Sequence, residues 1–293
     1  MTLASKPQEV KGQMHIEPVD LKAQIRSHWE NETCGTRYGS SESRKEYFDE
    51  ISRTRYELEP YILEFADFPQ ARGKKILEIG VGAGSDFHNW VKHGATASGI
   101  DLTDRAIALT TERLQLNGET PTTYELRRAD AEALPFADNH FDIVYSWGVL
   151  HCTPDTQEAF REVFRVLKPG GVVKAMVYQL HAWSCWMLWI RHALLRAWPF
   201  VSVRSVVFDH LESPGTKVYT IPEAKRMLSE VGFQSITCQT RLGPGDLLLI
   251  EPSSKYQHPI YRFIWAAYPG WLVRKLGDRF GLHLCMEAKK PAR

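Results

Sequence analysis

Three glycines occur at alternate positions, Gly80, Gly82 and Gly84. Gly80 ends a short apolar run at residues 74–80, and the other two directly follow this run. Such a run is typical of a buried parallel strand, and glycine tolerates both a sharp turn and a close approach of the backbone to a ligand. The spacing therefore predicts a ligand-binding turn between a strand and the helix after it. A tight turn that binds nothing is the simpler alternative.

Asp101 strengthens the ligand interpretation. It ends the next predicted strand, residues 96–101, seventeen positions after Gly84. Neighbouring parallel strands end at one edge of a sheet, where a carboxylate can bind the hydroxyls of a ribose. We therefore predict that Asp101 binds a nucleotide ribose. The alternative is an exposed carboxylate that precedes the helix capped by Thr103.

The glycine pattern also bears on the kind of nucleotide. It is G-x-G-x-G, whereas the dinucleotide fingerprint is G-x-G-x-x-G. Asp86 lies near the start of the following helix, where its charge would repel a pyrophosphate but tolerate a cationic ligand. The chain has no Tyr-x-x-x-Lys pair, which short-chain NAD(P) reductases use for catalysis. An NAD(P)-dependent oxidoreductase is thus a weaker alternative, as is a non-catalytic binding module.

Segments with strand-like and helix-like patterns alternate after residue 74, which predicts a parallel α/β sheet with right-handed crossovers. Two amphipathic helices, residues 19–29 and 43–65, precede it. The predicted strands are 74–80, 96–101, 123–128, 141–147, 172–178, 235–241 and 282–288. The predicted helices within this part are 103–116, 156–167, 222–231 and 261–276.

Composition excludes several classes of protein. The 293 residues carry 36 Lys and Arg against 35 Asp and Glu, and no basic stripe stands out, which argues against nucleic acid as a partner. The five cysteines are scattered and form no CxxC pair, which favours neither disulfides nor zinc and suggests a reducing cytoplasm. The first residues lack the apolar segment of a secretory signal. His88 and His93 have no partner at ligand spacing, so no metal site is predicted.

Four motifs occur in an order and spacing similar to those of one known family. They are LEIGVGAGSD at 77–86, GIDLTDRAI at 99–107, RADAEALPFADNHFDIVYSWGVLHCTPD at 128–155 and LKPGG at 167–171. They resemble the motifs of class I S-adenosylmethionine-dependent methyltransferases, in the small-molecule branch that includes quinone-biosynthesis enzymes. The resemblance covers about residues 74–178. It implies a Rossmann-like, mostly parallel, seven-stranded sheet flanked by helices, with a helical N-terminal cover and a helical insertion after the fifth strand.

The same resemblance implies that S-adenosylmethionine is the methyl donor. Glu78 and the glycine turn would line its methionine and ribose portions, Asp101 would bind the ribose hydroxyls, and Asp130 would accept a hydrogen bond from the adenine amino group. Leu102 would pack on the adenine ring. The implied donor contacts are Glu78, Gly80, Gly82, Gly84, Asp101, Leu102, Asp130, Ala131, Ser146 and Trp147.

The acceptor is predicted to be a small molecule, but the methylated atom is left open. A hydroxyl acceptor needs a base, whereas a thiolate or thioether does not, so S-methylation is an alternative within the class. The candidate catalytic residues are His151, Tyr178 and His181, because they follow predicted strand ends. For His151, packing against the donor pocket is the alternative role.

The chain divides by pattern into a tail (1–17), a helical N-terminal cover (18–70), a donor-binding core (71–180), a tryptophan-rich insertion (181–220) and the C-terminal part of the core (221–293). In the insertion Trp183, Trp186 and Trp189 recur at three-residue steps. They indicate a helix docked on the core, an aromatic lid that excludes water or, as the least favoured option, a membrane-surface helix with Arg191 and Arg196 toward lipid phosphates.

Overall fold

The computed structural model describes residues 18–249, 268 and 270–292. The predicted tail and residues 261–267 of the last predicted helix lie outside this part. The helices are α1 (Pro18–Asn31), α2 (Arg44–Leu58), α3 (Tyr61–Ala66), α4 (Ser85–Lys92), α5 (Asp104–Leu116), α6 (Thr156–Val166), α7 (Trp183–His192), α8 (Val203–His210), α9 (Ile221–Val231) and α10 (Gly270–Leu276). The strands are β1 (Lys75–Ile79), β2 (Thr96–Asp101), β3 (Tyr124–Arg128), β4 (Phe141–Trp147), β5 (Leu167–Gln179), β6 (Val218–Tyr219), β7 (Gln234–Arg241) and β8 (His283–Lys289).

The strands form one sheet in the order β3-β2-β1-β4-β5-β8-β7, with β6 paired to β5. β8 is antiparallel to both β5 and β7, and the other described pairs are parallel. This confirms the Rossmann-like, mostly parallel sheet. An eighth strand, β6, was not predicted because two residues are too few to give a pattern. The strand order reverses between β1 and β4, which is where α/β sheets bind ligands.

Apolar residues on both faces explain why β1 lies in the centre of the sheet. Ile76, Leu77 and Ile79 are buried, and they belong to two separate apolar clusters. One cluster includes Phe160 of α6, and the other includes Trp90 of α4. Helices therefore cover both faces of the sheet, and the ends of its strands carry the polar residues.

Local capping signals set where several helices begin. The Thr103 side chain accepts a hydrogen bond from the Ala106 N–H at the start of α5, as predicted. At the start of α9, Thr220 and Glu223 cap each other's backbone N–H groups. α6 ends at Val166 and β5 begins at the next residue, five residues earlier than predicted, because Leu167 already pairs with Phe141 of β4.

The prediction of one helix over residues 43–65 is wrong, because the structure has two helices there. The chain leaves the helical conformation at Glu59, with φ −131° and ψ 59°, directly before Pro60. Proline disfavours the helical conformation of the residue that precedes it. The break leaves Glu59 at the junction between α2 and α3.

The insertion follows β5, as predicted, and contains α7, α8 and β6. Its inner surface is formed by Ala182, Cys185 and Val207, which pack with Met176 and Tyr178 of β5. The insertion therefore contains a helix docked on the core beside the carboxyl end of β5. Among the described helices, none has the length and apolar character that crossing a membrane requires.

Candidate functional site

The turn after β1 requires glycine for steric reasons. Gly80 has φ +84°, and a Cβ atom there would lie 2.1 Å from Cγ2 of Val149. Gly82 has φ +53° and lies against the backbone oxygen of Cys34. The Gly80 N–H donates to the Ile100 carbonyl at 2.8 Å, which joins the turn to β2. Glycine at these positions thus lets the backbone of the turn approach its neighbours closely.

Glu78 provides a buried carboxylate beside this turn. It is only 3% exposed, and its Oε2 atom has no hydrogen-bond partner in the part of the chain that the structure describes. Burial, with the nearby charge of Asp86, raises the pKa of Glu78 well above its ordinary value. A buried acceptor without a partner is costly, and a bound ammonium group would supply both the missing donor and the missing charge.

Asp101 at the end of β2 connects three parts of the site. Its Oδ2 accepts from the Gly82 N–H at 3.2 Å, and its Oδ1 accepts from the N–H and the hydroxyl of Thr103 at 3.0 and 2.8 Å. Burial raises the pKa of this carboxyl group above its ordinary value. A carboxylate has about four acceptor positions, so capacity remains on Oδ2 for a ligand hydroxyl.

An open cleft of about 780 Å³ lies next to Asp101, between α1 and the core. Leu102, Glu132 and Pro154 line its core side, and residues of α1 line the other. Across it, Nζ of Lys22 lies 2.6 Å from both Asp130 and Glu132. Asp130 was predicted to accept a bond from adenine, but in this structure its Oδ2 is already paired with the N-terminal cover.

The remaining predicted donor contacts differ in accessibility. Ala131 is 8% exposed, next to Asp130. Ser146 is fully buried and donates to the Ile79 carbonyl at 3.1 Å, which ties β4 to β1. Its hydroxyl is therefore engaged within the sheet. Trp147, one residue later, is partly exposed at the strand end.

Six side chains gather at the carboxyl ends of β4 and β5 and the start of β8. The Trp147 ring lies 6.0 Å from Tyr61 and 5.8 Å from His283, and the Tyr178 ring lies parallel to that of His283 at 5.9 Å. His151 contacts Tyr178, with ring centroids 4.1 Å apart. We call this group the strand-edge cluster; its members are Glu59, Tyr61, Trp147, His151, Tyr178 and His283.

Of the three predicted catalytic residues, two belong to the strand-edge cluster and one does not. His151 is fully buried, and neither ring nitrogen has a hydrogen-bond partner among the described residues. Burial lowers its pKa to about 3, so the ring is neutral. Tyr178 is 5% exposed, and burial with the nearby Glu212 raises its pKa. His181 is exposed on the surface, so the structure does not bring it to the site.

Glu59 is the acid of the strand-edge cluster. Its Oε1 lies 3.3 Å from Nδ1 of His283, and the Tyr61 hydroxyl lies 2.8 Å from the same nitrogen. Burial raises the pKa of Glu59 to about 7, although Arg55 opposes the shift. Burial also lowers the pKa of His283 to about 4. A neutral histidine and an acid that titrates near pH 7 thus lie side by side.

Asp86 does not act as a free acid at the start of α4. Two nitrogens of Arg55 donate to its carboxylate at 3.0 and 2.6 Å, and the hydroxyls of Tyr56 and Tyr145 donate to it at 2.9 and 2.8 Å. Arg55 of α2 neutralises the charge of Asp86, so this carboxylate would repel a pyrophosphate less than expected from the sequence. We call these four residues the Asp86 cluster. It fastens α2 to the core.

Glu59, His283 and Lys22 were not predicted from the sequence. Two local signals were present. Glu59 precedes a proline within an otherwise helical pattern, and His283 is a single histidine in the apolar strand that ends the described chain. Lys22 gave no signal, because a lysine on an amphipathic helix is ordinarily solvated. Among the described residues, no group of His, Cys, Asp and Glu is arranged to hold a metal ion.

The sheet order, the glycine turn and the acid at the next strand end together define a class I methyltransferase fold. Comparison with known proteins agrees with this assignment. The sequence profile of a methyltransferase domain matches residues 77–174. Residues 77–174, from β1 into β5, are therefore similar in sequence to a methyltransferase domain.

Curated relatives match part of the chain. A phosphoethanolamine N-methyltransferase 2 from Caenorhabditis elegans is 35% identical over 118 residues, which is 40% of this chain and 26% of the relative. A phthiotriol/phenolphthiotriol dimycocerosates methyltransferase from Mycobacterium leprae is 41% identical over 101 residues, 34% of this chain and 36% of the relative. The matched part thus spans about a third or less of these relatives.

Among solved structures, phosphoethanolamine N-methyltransferase 2 from Haemonchus contortus in complex with S-adenosyl-L-methionine superposes with a TM-score of 0.53. It is 21% identical, and the match covers 80% of this chain and 52% of that one. At this level of identity the structural similarity establishes the fold only. The superposed part of the chain is much longer than the part that the sequence profile matches.

Proposed function

We propose that the protein transfers a methyl group from S-adenosylmethionine to a small-molecule acceptor and releases S-adenosylhomocysteine. The observation that carries the proposal is the unpartnered, buried Oε2 of Glu78 beside a glycine turn that joins β1 to Asp101. The amino group and the ribose of one donor molecule would fit these two carboxylates. The methyltransferase profile over residues 77–174 supports the same ligand.

The chain's own residues would bind and orient this donor. Glu78 would accept a hydrogen bond from the amino group of the donor, and the glycine turn would leave room for its methionine portion. Asp101 would accept a hydrogen bond from a ribose hydroxyl. Leu102 would contact the adenine ring in the cleft beneath α1. When bound, S-adenosylmethionine supplies an electrophilic methyl group on a sulfonium, which an acceptor atom takes by in-line displacement. Alignment and exclusion of water account for much of the rate that such a site provides.

Calorimetry distinguishes this proposal from an NAD(P)-dependent oxidoreductase. We expect S-adenosylmethionine and S-adenosylhomocysteine to bind and NADH to bind more weakly. Tighter binding of NADH would contradict the proposal. Incubation with a metabolite extract and the donor should then give a product heavier by one CH₂ unit in mass spectrometry, which identifies the acceptor. Donor binding without any methylated product would favour a non-catalytic binding module.

The acceptor is proposed to lie against the strand-edge cluster. The two relatives named above act, by their names, on a phosphorylated amine and on a lipid, so they do not fix one substrate class. The cluster offers aromatic surface from Trp147 and Tyr178 and one acid, Glu59. This set suits an acceptor with an apolar body and a hydroxyl group that loses its proton. S-methylation of a thiol or thioether is the alternative within the class.

Glu59 is the proposed proton acceptor for a hydroxyl substrate. Its pKa of about 7 matches proton removal near neutral pH, because a general base works best when its pKa is close to the working pH. The pKa of His151 is about 3, which makes it a weak base. Nε2 of His283 faces the backbone, since a Cβ atom on Gly243 would lie 2.9 Å from it. His151 and His283 would therefore orient and pack.

The Glu59→Gln variant should separate these alternatives. With a hydroxyl acceptor, we expect turnover to fall by roughly a hundredfold above pH 7, since an amide cannot take the proton. The parent protein should gain activity as the pH rises through about 7, when Glu59 becomes ionised, and this rise should be absent in the variant. Donor affinity should not change.

Glu57→Gln is the matched control, because Glu57 is an exposed acid two residues away. It should keep the parental pH profile. If turnover and pH profile are the same in Glu59→Gln and in the parent, Glu59 is not the proton acceptor, and S-methylation of a thioether becomes the better proposal.

A further inference from the structure

Large apolar side chains are exposed at the end of α7 and in the segment that follows it. Phe200 is 99% exposed, Leu195 is 76% exposed and Trp198 is 69% exposed, and Trp186 and Ile190 of α7 are more than two-fifths exposed. The segment is nevertheless ordered, because Nε1 of Trp189 donates to the Val201 carbonyl at 2.7 Å. An exposed apolar surface of this kind marks an interaction site.

A second exposed apolar surface lies on α10. Trp271 is 69% exposed, and Leu272 and Leu276 are also exposed. Asp246 ties the two regions together. Its Oδ1 accepts from the Ser184 N–H of α7 at 3.0 Å, and its carbonyl accepts from the hydroxyl of Tyr268, two residues before α10, at 2.6 Å.

The charges in both regions have one sign. Residues 183–200 contain two arginines, Arg191 and Arg196, and no acid, whereas His192 is neutral because burial and the neighbouring cationic groups lower its pKa to about 4. Residues 270–276 contain Arg274 and Lys275 and no acid. Elsewhere in the described chain acids and bases are interspersed and many are paired. Helices that lie in the headgroup region of anionic bilayers combine large apolar residues such as tryptophan, phenylalanine and leucine with basic residues. Both regions have this composition.

We propose that α7 with residues 193–200, together with α10, docks the protein on the surface of an anionic lipid bilayer. The helices have 10 and 7 residues, far below the roughly 20 that a span requires, so they would lie in the interface rather than cross it. The exposed rings would enter the acyl boundary while the cations contact lipid phosphates. Charge complementarity favours lipid over a second copy of this chain, since two all-basic surfaces repel each other.

Flotation with vesicles tests this inference without any assay of catalysis. We expect the full chain to bind phosphatidylcholine vesicles that contain phosphatidylglycerol, and to bind vesicles of phosphatidylcholine alone much less. The Trp198→Ser/Phe200→Ser variant should lose at least tenfold in affinity for the anionic vesicles, because both rings are largely exposed and their removal leaves the fold intact. The Arg196→Gln/Arg274→Gln variant should lose roughly thirtyfold on anionic vesicles only.

Matched controls come from the other parts of the surface. Leu116→Ser removes an apolar side chain that is 40% exposed at the end of α5, and Arg72→Gln removes an exposed cation before β1. Both should bind vesicles like the parent. The proposal is overturned if the parent does not bind anionic vesicles, or if the controls weaken binding as much as the variants. Self-association that the Trp198→Ser/Phe200→Ser change abolishes, with no vesicle binding, would instead show that a second copy covers this surface.

Discussion

Replacing Asp86 by alanine is expected to lower the free energy of unfolding by about 3–5 kcal/mol, the usual loss when one partner of a buried ion pair is removed. Asp86 is 3% exposed, and its carboxylate accepts hydrogen bonds from Arg55, Tyr56 and Tyr145. The variant would leave the Arg55 guanidinium without its main counter-ion and two hydroxyls without their acceptor. Urea unfolding followed by circular dichroism measures the difference.

Asp49→Ala is the control for this experiment, because Asp49 forms an exposed ion pair with Lys45 at 3.0 Å. Exposed pairs contribute roughly 0–1 kcal/mol, so little loss is expected there. The Asp86→Ala/Arg55→Met variant should be less destabilised than the sum of the single changes, since it removes both buried charges. A loss below about 1 kcal/mol for Asp86→Ala would show that the Asp86 cluster does not fasten α2.

The same cluster gives a pH dependence of known sign. Burial alone would raise the pKa of Asp86, but Arg55 and the hydrogen bonds hold it below the ordinary value. A carboxyl group whose pKa is lower in the folded state stabilises that state above the unfolded pKa, and the contribution is lost as the pH falls through the folded pKa. In the Asp86→Ala variant, stability should therefore fall less between neutral and acidic pH than it does in the parent.

The Asp101→Ala variant should bind S-adenosylmethionine at least tenfold more weakly, since a charge-assisted hydrogen bond to ribose is lost. Because Asp101 also accepts bonds from Gly82 and Thr103, the variant alone does not separate ribose binding from support of the turn. A donor analogue without the ribose hydroxyls does separate them. The parent should prefer the hydroxylated donor, and the variant should show no preference in calorimetry.

Asp138→Ala serves as the control, because Asp138 is an exposed acid that pairs with Arg165 and does not line the cleft. It should keep the parental affinity and preference. If the Asp101→Ala variant distinguishes the two ligands as well as the parent does, Asp101 supports the turn but does not bind ribose. Unfolding measurements on both variants check that the comparison is made between folded proteins.

The sequence predicted the elements whose patterns are local. β1, β2 and β4 are largely buried and appear in the sequence as short apolar runs. Glycines follow β1 and an acid ends β2. The spacing of these residues was therefore enough to predict that the glycine turn and Asp101 lie at one edge of the sheet. β6 has only two residues and gave no pattern. The break at Glu59 was missed because the helical periodicity continues across Pro60, although the conformational restriction before proline was available in the sequence.

The acceptor side could not be predicted in the same way. Glu59, Tyr178 and His283 come from the N-terminal cover, the middle strand and the last strand, and only the folded sheet brings them together. Asp86 was visible as an acid, but its neutralising partner Arg55 is 31 positions away in another helix. His181 follows β5 in sequence, yet the chain turns there and leaves its side chain in solvent.

The N-terminal cover is attached to the core in two different ways. α2 is held by the buried Asp86 cluster. Several contacts of α1, by contrast, are ion pairs that solvent can reach. Lys22 pairs with Asp130 and with Glu132, and Arg26 pairs with Asp104. Such pairs are weak and sensitive to salt. The free energy of local opening should therefore be lower for α1 than for α2, which amide hydrogen exchange measures. If the cleft beneath α1 binds adenine, exchange of the ligand would then require only the release of one helix, while α2 stays attached to the core.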